Sequence, residues 1–206
     1  MISFPSLRRC YLFPKSFRYT NTIFIHIPKC AGQAVGYGLY GHTIHHSKIS
    51  FLYKCDSSFC EKAFKFAVVR DPLDRFLSAF NYLRQGGRTR NDKKIYGKWI
   101  SGKSIEQFLS CLVDMKVDAV PELFHFHTQN SFLSSEKNDS QVLVDRVYKI
   151  DELDVLLRDF NIVSTLPSIV DKFSVCNKSE QQITSLSDES QNMVRHIYAI
   201  DYKQFY

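Results

Sequence analysis

The chain has 206 residues, of which 44% are hydrophobic and 14% aromatic, and this composition excludes an intrinsically disordered protein. Its length suits a single domain with a sizeable core. The formal net charge of +6 fits anionic ligands such as phosphates, nucleic acids, membranes or acidic sugars, but does not choose among them.

The cysteine pattern and the N-terminus predict a soluble protein in a reducing compartment. None of the six cysteines forms a CxxC pair, and the nearest two, Cys55 and Cys60, lie five positions apart. We therefore expect reduced, mostly buried thiols. No apolar run reaches the length of a membrane-spanning helix, and Pro5 and Pro14 interrupt an N-terminus that lacks the apolar core of a signal peptide.

The first predicted element is a buried strand over Thr22–Ile27, which is apolar throughout except for His26. Pro28 ends this strand, and small residues then lead into a helix predicted from Ala34 to Tyr40. The glycines of that helix weaken the prediction, because glycine is about 1 kcal/mol less favourable than alanine in a helix interior.

A second buried strand is predicted over Phe64–Val69, and its carboxyl end delivers Arg70. Pro72 suits a first helical turn, and the apolar residues that follow it have helical spacing. A helix is therefore predicted over residues 72–84, and the pair Gly86–Gly87 ends it.

The segment Arg88–Lys103 is basic and polar, which predicts an exposed loop or lid. Its cations form either a solvated face or the docking rim of an acidic acceptor. Tyr96 and Trp99 keep the second interpretation open, because aromatic rings stack on sugar rings. Ser104 is then the expected N-cap of a helix that reaches Met115.

A third strand is predicted over Val144–Ile150, followed by a short helix at about residues 151–160. The last helix is predicted over Asp188–Ala199, with Ser187 as its cap. Strands that alternate with helices predict an α/β fold: a single P-loop-like domain with a mainly parallel central sheet flanked by helices. Ligands of such sheets bind beyond the carboxyl ends of the strands.

The turn after the first strand is a candidate anion site. Backbone N–H groups converge at such a turn, the helix dipole favours negative charge, and Lys29 would add a mobile positive charge. It is not a Walker A loop, because Lys29 precedes the glycine, and an ordinary strand-to-helix turn remains the alternative. The candidate residues are Pro28, Lys29, Cys30, Ala31, Gly32, Gln33 and Ala34.

Arg70 and Ser78 form a second candidate site after the second strand. An arginine at this position can donate two hydrogen bonds to a phosphate, and a hydroxyl two helical turns further on can add another. An arginine–aspartate pair at a helix start, with a surface serine beyond it, is the alternative. Two such loops, each at the carboxyl end of a strand, suggest a ligand with two separated phosphates.

These two segments resemble a known family. IFIHIPKCAGQA resembles the 5′-phosphosulfate loop of sulfotransferases that use 3′-phosphoadenosine 5′-phosphosulfate (PAPS), and FAVVRDPLDRFLSAF resembles their 3′-phosphate motif. The carbohydrate branch with the uronyl 2-O-sulfotransferases and small bacterial homologues is the most similar. The resemblance implies transfer of a sulfuryl group from PAPS to a carbohydrate hydroxyl without a metal.

The resemblance extends from about residue 22 to the end of the chain. FHFHTQNSFL, with Gln129, is similar to a family stretch, and Lys178 and Ser179 match an Asn-x-Ser loop that closes over the nucleotide. One departure is that Cys30–Ala34 lacks the hydroxyls that often hold the 5′-phosphate. Backbone N–H groups and the Gln33 amide would then have to bind it.

The segment GHTIHHS lies where this branch of the family keeps its catalytic histidine. His46 is our first choice for the general base, because it lies 24 residues before Arg70, close to the spacing that the resemblance implies, and histidine titrates near neutral pH. His45 is the second choice and His42 the third. Lys29 would neutralise charge on the departing oxygen. A metal site would need further ligands such as Cys55, and the spacing does not favour one.

Other functions remain open at this point. One alternative is another phosphate-loop transferase or a kinase, against which the missing Walker A pattern counts. A second is a catalytically degenerate homologue that binds nucleotide without turnover, although Lys29, Arg70, Ser78 and His46 are all retained. Nucleic-acid binding rests on net charge alone, and we expect none.

The resemblance also suggests a domain division and a compartment. We interpret residues 1–21 as an N-terminal extension and residues 22–206 as the sulfotransferase domain. Animal relatives are Golgi membrane proteins, whereas we find no integral membrane segment in this sequence. We therefore expect a cytoplasmic bacterial enzyme of polysaccharide biosynthesis, with a glycan acceptor that is neutral or acidic.

Overall fold

The computed structural model describes residues 13–136, 138–160 and 183–206. Short single turns of 3₁₀-helix occur at Val117–Ala119, Pro121–Leu123 and Ile150–Glu152, and a π-helix spans Tyr96–Ile100. In chain order the other elements are α1 (Lys15–Thr20), β1 (Thr22–Ile25), α2 (Gly32–Tyr40), α3 (Ile49–Cys55), α4 (Ser57–Lys62), β2 (Phe64–Val69), α5 (Pro72–Arg84), α6 (Arg90–Ile95), α7 (Ile105–Val113), α8 (Gln129–Leu133), β3 (Ser134–Ser135), β4 (Asn138–Val142), β5 (Arg146–Lys149), α9 (Leu153–Asp159), α10 (Asp188–Ile197) and α11 (Ala199–Phe205).

The described residues group into two units. The first unit comprises residues 13–69 and 129–160 and contains every strand of the described chain, together with α1–α4, α8 and α9. The second unit comprises residues 70–128 and 183–206, and its described elements are all helical.

A parallel sheet of three strands, in the order β1–β2–β5, forms the centre of the first unit. Four consecutive residues of β2, Phe66–Val69, have no exposed surface. Because successive side chains of a strand point to opposite faces, burial of all four means that both faces of β2 are covered. The predicted α/β fold with a parallel sheet flanked by helices is therefore confirmed.

The predicted strand and helix positions agree closely with the structure. β2 and α5 occur where the sequence placed them, whereas β1 ends at Ile25, two residues earlier than predicted. Ser104 caps α7 by accepting a hydrogen bond from the Gln107 N–H, and Ser187 caps α10 in the same way. The short helices α3, α4 and α8 and the antiparallel pair β3–β4 were not predicted.

The core of the second unit is aromatic. Phe76 and Phe80 of α5 contact Phe108 of α7, and the Phe108 and Phe126 rings lie 4.9 Å apart between centroids. Tyr198, which is 1% exposed, joins this core and donates a hydrogen bond of 2.8 Å to the Phe126 carbonyl. Aromatic pairs of this kind stabilise a fold by about 0.5–1.5 kcal/mol each beyond area burial.

The prediction of an exposed loop or lid over Arg88–Lys103 is wrong, because α6 and the π-helix occupy this segment. Ile95 and Ile100 are buried in the core of the second unit, and Asp92 is 3% exposed. The helix starts with a capping box, in which Thr89 and Asp92 each accept a hydrogen bond from the other's backbone N–H. The cations of the segment are nonetheless exposed: Arg88, Arg90, Lys93, Lys94, Lys98 and Lys103.

None of the described helices combines the length and the apolar character that crossing a membrane requires. Four of the cysteines belong to described residues, and all four are free thiols. Cys30 and Cys60 are buried, while Cys55 and Cys111 are half-buried. Cys10 and Cys176 lie outside the described residues.

Candidate active site

The loop between β1 and α2 has an unusual backbone. Lys29 and Ala31 both have positive φ angles, of 68° and 54°, and Ala31 is the N-cap of α2. A left-handed conformation costs an ordinary L-residue roughly 1–2 kcal/mol. Turns that use left-handed residues direct successive N–H groups into a concavity that binds anions. The conformation of this loop therefore fits the predicted anion site.

The N-terminus of α2 supplies further donors. The first helical hydrogen bond runs from the Val35 N–H to the Ala31 carbonyl, with a length of 3.2 Å. The N–H groups of Gly32, Gln33 and Ala34 precede it and have no acceptor within the helix. The side chain of Gln33 is half-buried. These are the donors that sequence reasoning assigned to the 5′-phosphate.

Gly32 has a packing role that its position in the loop did not reveal. A Cβ atom added at Gly32 would lie 1.8 Å from Cδ2 and 2.1 Å from Nε2 of His26. The imidazole of His26 therefore lies directly against the backbone of the loop, and only glycine leaves room for it. The buried ring forms one wall of the turn.

The side chain of Cys30 is buried between the loop and Gln129. The thiol is 1% exposed, and its Sγ donates hydrogen bonds to Oε1 of Gln129 at 3.3 Å and to the Pro28 carbonyl at 3.7 Å. Gln129, at the start of α8, has no exposed surface. The sequence resemblance drew attention to Gln129, and the structure places its amide against the loop.

The histidine segment packs on the same loop and helix. A Cβ at Gly36 would lie 2.9 Å from the His42 carbonyl oxygen, so this glycine permits close contact between α2 and the segment. The Nδ1–H of His46 donates a hydrogen bond of 2.8 Å to the carbonyl of His26. The two imidazole rings lie 3.9 Å apart between centroids.

This hydrogen bond determines the chemistry available to His46. A neutral imidazole that donates from Nδ1 carries its lone pair on Nε2. His46 is exposed, so its ring is in contact with solvent. The side chain therefore has the tautomer and the solvent access that a general base requires.

The other two candidate histidines are exposed, as His46 is. One of them is His45. His42 is also exposed, and both of its ring nitrogens have local partners: Nδ1–H donates to the Thr43 carbonyl, and Nε2 accepts from the Ser16 hydroxyl. The ranking of the three histidines, with His46 first, remains a prediction.

His26 is a functional candidate that sequence reasoning missed. It is 6% exposed, and burial, followed by the nearby His46 and His45, lowers its pKa to about 3 although the hydrogen bond to the Ile44 carbonyl acts in the opposite direction. The ring is therefore neutral throughout the physiological pH range. One signal was available, since His26 is the single polar residue in the otherwise apolar run Ile23–Ile27.

The second motif lies at the beginning of the second unit. Arg70 directly follows β2, and its Nη2 lies 3.9 Å from Oδ2 of Asp74. Ser78 is half-buried one turn after Asp74 on α5. Asp71 caps the helix by accepting from the Leu73 and Asp74 N–H groups, which accounts for the aspartate of the Arg-Asp-Pro motif.

Arg75 has a different role from Arg70. Its side chain is 1% exposed, and its Nη2 donates a hydrogen bond of 3.2 Å to the His125 carbonyl. His125 and His127 are also buried. Lys178 and Ser179, assigned to the nucleotide by sequence, lie outside the described residues.

Two further candidates belong to the segment of exposed cations. Tyr96 and Trp99 are half-buried and pack against the core of the second unit. Nε1 of Trp99 donates to Glu122, which also accepts a hydrogen bond of 2.6 Å from Lys98.

Among the described residues, no cluster of three or more histidine, cysteine or acidic side chains could hold a metal ion.

Comparison with known protein families adds an independent observation. The model of the sulfotransferase family matches residues 18–206. The chain belongs to the sulfotransferase family. Searches among curated proteins and among solved structures gave no match. The matched range includes both motifs and the histidine segment, and it establishes this enzyme's reaction as the transfer of a sulfuryl group.

Proposed function

We propose that this sulfotransferase transfers a sulfuryl group from PAPS to a hydroxyl of a carbohydrate, with His46 as the general base. The observation that carries the proposal is the hydrogen bond from Nδ1 of His46 to the His26 carbonyl. It leaves Nε2 of the neutral ring as the proton acceptor, beside a loop whose backbone is shaped for an anion.

The proposed reaction is an in-line displacement at sulfur. The acceptor oxygen forms a bond to sulfur while the bond between sulfur and the 5′-phosphate oxygen breaks. The hydroxyl proton passes to Nε2 of His46, and 3′-phosphoadenosine 5′-phosphate departs. Lys29 would stabilise the negative charge that develops on the departing oxygen. His45 is the second candidate for the base.

The donor would be held by residues of both motifs. The resemblance assigns the 5′-phosphosulfate to residues 28–34 and the 3′-phosphate to Arg70 and Ser78, with Lys178 and Ser179 closing over the nucleotide. The three leading N–H groups of α2 support the first assignment. For the second, a 3′-phosphate would replace Asp74 as the anion beside the Arg70 guanidinium.

The acceptor proposal rests on the resemblance and on the surface of the second unit. The exposed cations of α6 and the π-helix would favour an acidic glycan over a neutral one. Tyr96 and Trp99 stand among these cations and could stack on sugar rings. An acidic oligosaccharide is therefore the first acceptor to offer the enzyme.

Isothermal titration calorimetry tests the donor. We expect the full-length chain to bind 3′-phosphoadenosine 5′-phosphate at least tenfold more tightly than ATP. Lys29→Ala should weaken that binding, whereas Lys62→Ala, which removes an exposed cation at the end of α4, should leave it unchanged. Equal affinity for the two nucleotides would exclude PAPS as the donor.

A further inference from the structure

The side chain of His26 makes contact with two parts of the candidate site. On one side its ring lies against Gly32 of the anion loop, at a distance that would not accommodate a Cβ atom. On the other side it contacts the ring of His46. His26 therefore occupies the space between the loop and the histidine segment.

His26 also anchors the backbone that carries His46. Its Nδ1–H donates a hydrogen bond of 2.5 Å to the carbonyl of Ile44, two residues before His46. Its own carbonyl accepts the hydrogen bond from Nδ1 of His46. Ring and backbone of one residue thus bind the segment at two successive points, which determines both the location and the tautomer of His46.

We propose that His26 is a positioning residue, which holds the His46 ring with Nε2 as its proton acceptor at a set distance from the anion loop. The proposal rests on the proposed function, in which His46 is the base. His26 itself does not need to contact the nucleotide or the acceptor.

The environment of His26 suits this role because the ring must not acquire charge. A positive charge on His26 would repel the proton that His46 receives. The titratable groups that act on His26 are His46 and His45, and both lower its pKa, in the same direction as burial. His26 consequently contacts the base as a neutral ring at neutral pH.

Nitrogen-15 NMR of the histidine rings tests the inference in the unmodified full-length protein. We expect both His26 and His46 to show the Nδ1–H tautomer when neutral, and His26 to stay neutral down to pH 5. A neutral His46 ring that carries its proton on Nε2, or a His26 ring that titrates near pH 6.5, would overturn the proposal.

Two substitutions of His26 distinguish a role in positioning His46 from a role in packing alone. His26→Phe keeps a ring against Gly32 but removes the donor to Ile44, so we expect the Nδ1–H tautomer of His46 to be lost or mixed. With the geometry of the base relaxed by about 1 Å, kcat should fall about 10- to 100-fold, while KM for PAPS changes less than about twofold. His26→Asn restores a donor near the position of Nδ1 and should recover part of kcat.

Tyr40→Phe is the matched control, because it removes a partly buried hydrogen bond between the Tyr40 and Thr22 hydroxyls in the same unit without touching His26. It should change neither the tautomer of His46 nor kcat. If folded His26→Phe and His26→Asn both keep the wild-type His46 tautomer and titration, His26 is not a positioning residue.

The NMR readout also keeps this inference distinct from the proposed function. If the wild-type protein transfers no sulfuryl group from PAPS but His26→Phe changes the His46 tautomer, the proposed function fails and the positioning role stands. If transfer occurs and both substituted proteins match the wild type in tautomer and kcat, the positioning role fails and the proposed function stands.

Discussion

Each of the two units contains a histidine that forms a hydrogen bond, but the two histidines differ in burial and in the group to which they are bonded. In the first unit, the exposed His46 donates to a backbone carbonyl. In the second unit, His125 is 7% exposed, and its Nε2 lies 3.1 Å from the carboxylate of Asp92, which is also buried. The second pair looks like a catalytic dyad when only residue types are considered.

The burial of His125 and the other hydrogen bonds that Asp92 accepts indicate a structural role for this pair instead. Oδ2 of Asp92 accepts hydrogen bonds from the Tyr82 hydroxyl and from the Arg88 and Thr89 N–H groups, so the carboxylate holds α6 against α5. A histidine in such a network stabilises the fold and has no access to a substrate. A carbonyl-bonded histidine with solvent contact is the better candidate base, and the following predictions examine this difference.

The largest effect is expected from His46→Ala. Loss of a general base lowers kcat by about 10²- to 10⁴-fold. Affinity for 3′-phosphoadenosine 5′-phosphate, measured by calorimetry, should remain within about twofold, because the donor loop is unchanged. His125→Gln, which keeps a nitrogen near Nε2 for Asp92, should retain activity. An equal loss of kcat in both proteins would contradict the contrast between the two histidines.

The next largest effect is expected from Asp92→Asn, and it concerns stability. The asparagine amide cannot accept all the hydrogen bonds that the carboxylate accepts, so we expect a loss of about 3 kcal/mol in the free energy of unfolding. Urea denaturation measures this loss. Asp114→Asn is the control, because Asp114 follows α7 as its C-cap and is less buried. A stability unchanged by Asp92→Asn would mean that the network is not structural.

The same carboxylate predicts a pH dependence. Burial raises the pKa of Asp92, but hydrogen bonds from Tyr82, Thr89, His125 and Arg88 together outweigh it and hold the pKa well below its usual range. A depressed pKa stabilises the fold above the unfolded value of about 3.9, and this contribution is lost as pH falls towards the folded value. The stability difference between wild type and Asp92→Asn should therefore be constant from pH 7 to about pH 5 and shrink below pH 4. A difference that grows on acidification would refute this account.

A smaller effect is expected from Gly32→Ala in the first unit. The added methyl group would collide with the His26 ring, and overpacking of this kind costs about 1–3 kcal/mol. In the double variant with His26→Ala the collision disappears, so the two changes should be less damaging together than their sum. Thermal unfolding of all four proteins measures this coupling. Purely additive losses of stability would show that the His26 ring does not contact the loop at Gly32.

The smallest effect is expected from Ala31→Gly. Glycine tolerates the left-handed conformation of this residue, so the change should stabilise the fold by about 1 kcal/mol or less. Thermal unfolding measures the gain, and Ala34→Gly within α2 provides the contrast, because it should destabilise by a similar amount. A loss of stability on Ala31→Gly would mean that the loop is not strained at this residue.

The sequence predicted those elements whose ends are marked by local chemistry. β2 and α5 were predicted at their observed bounds, because a buried apolar run meets Arg-Asp-Pro, and paired glycines follow the helix. The segment after them was misjudged. Because the segment contains many cations, the burial of Ile95 and Ile100 was not predicted. The burial of Asp92 depends on hydrogen bonds to Tyr82 and His125, and no local sequence pattern connects these three residues.

The candidate site was likewise predictable in part. The loop and His46 could be identified because their residue types and spacing resemble a family. The role of His26 could not, because it depends on a ring that reaches Gly32, Ile44 and His46 at once, and this arrangement exists only in three dimensions. A lone polar residue in an apolar run was the single trace of it in the sequence.

The burial of Cys30 has a consequence for the reactivity of the loop. Cys55 and Cys111 are partly open to solvent, whereas the Cys30 thiol lies behind its own loop against Gln129. An oxidant or an alkylating reagent can therefore reach Cys30 only after the loop has moved away from α8. The rate of its modification therefore depends on the free energy of that local opening as well as on the nucleophilicity of the sulfur. Any anion that holds the loop closed also shields this thiol, which makes Cys30 an internal reporter of whether the loop is occupied.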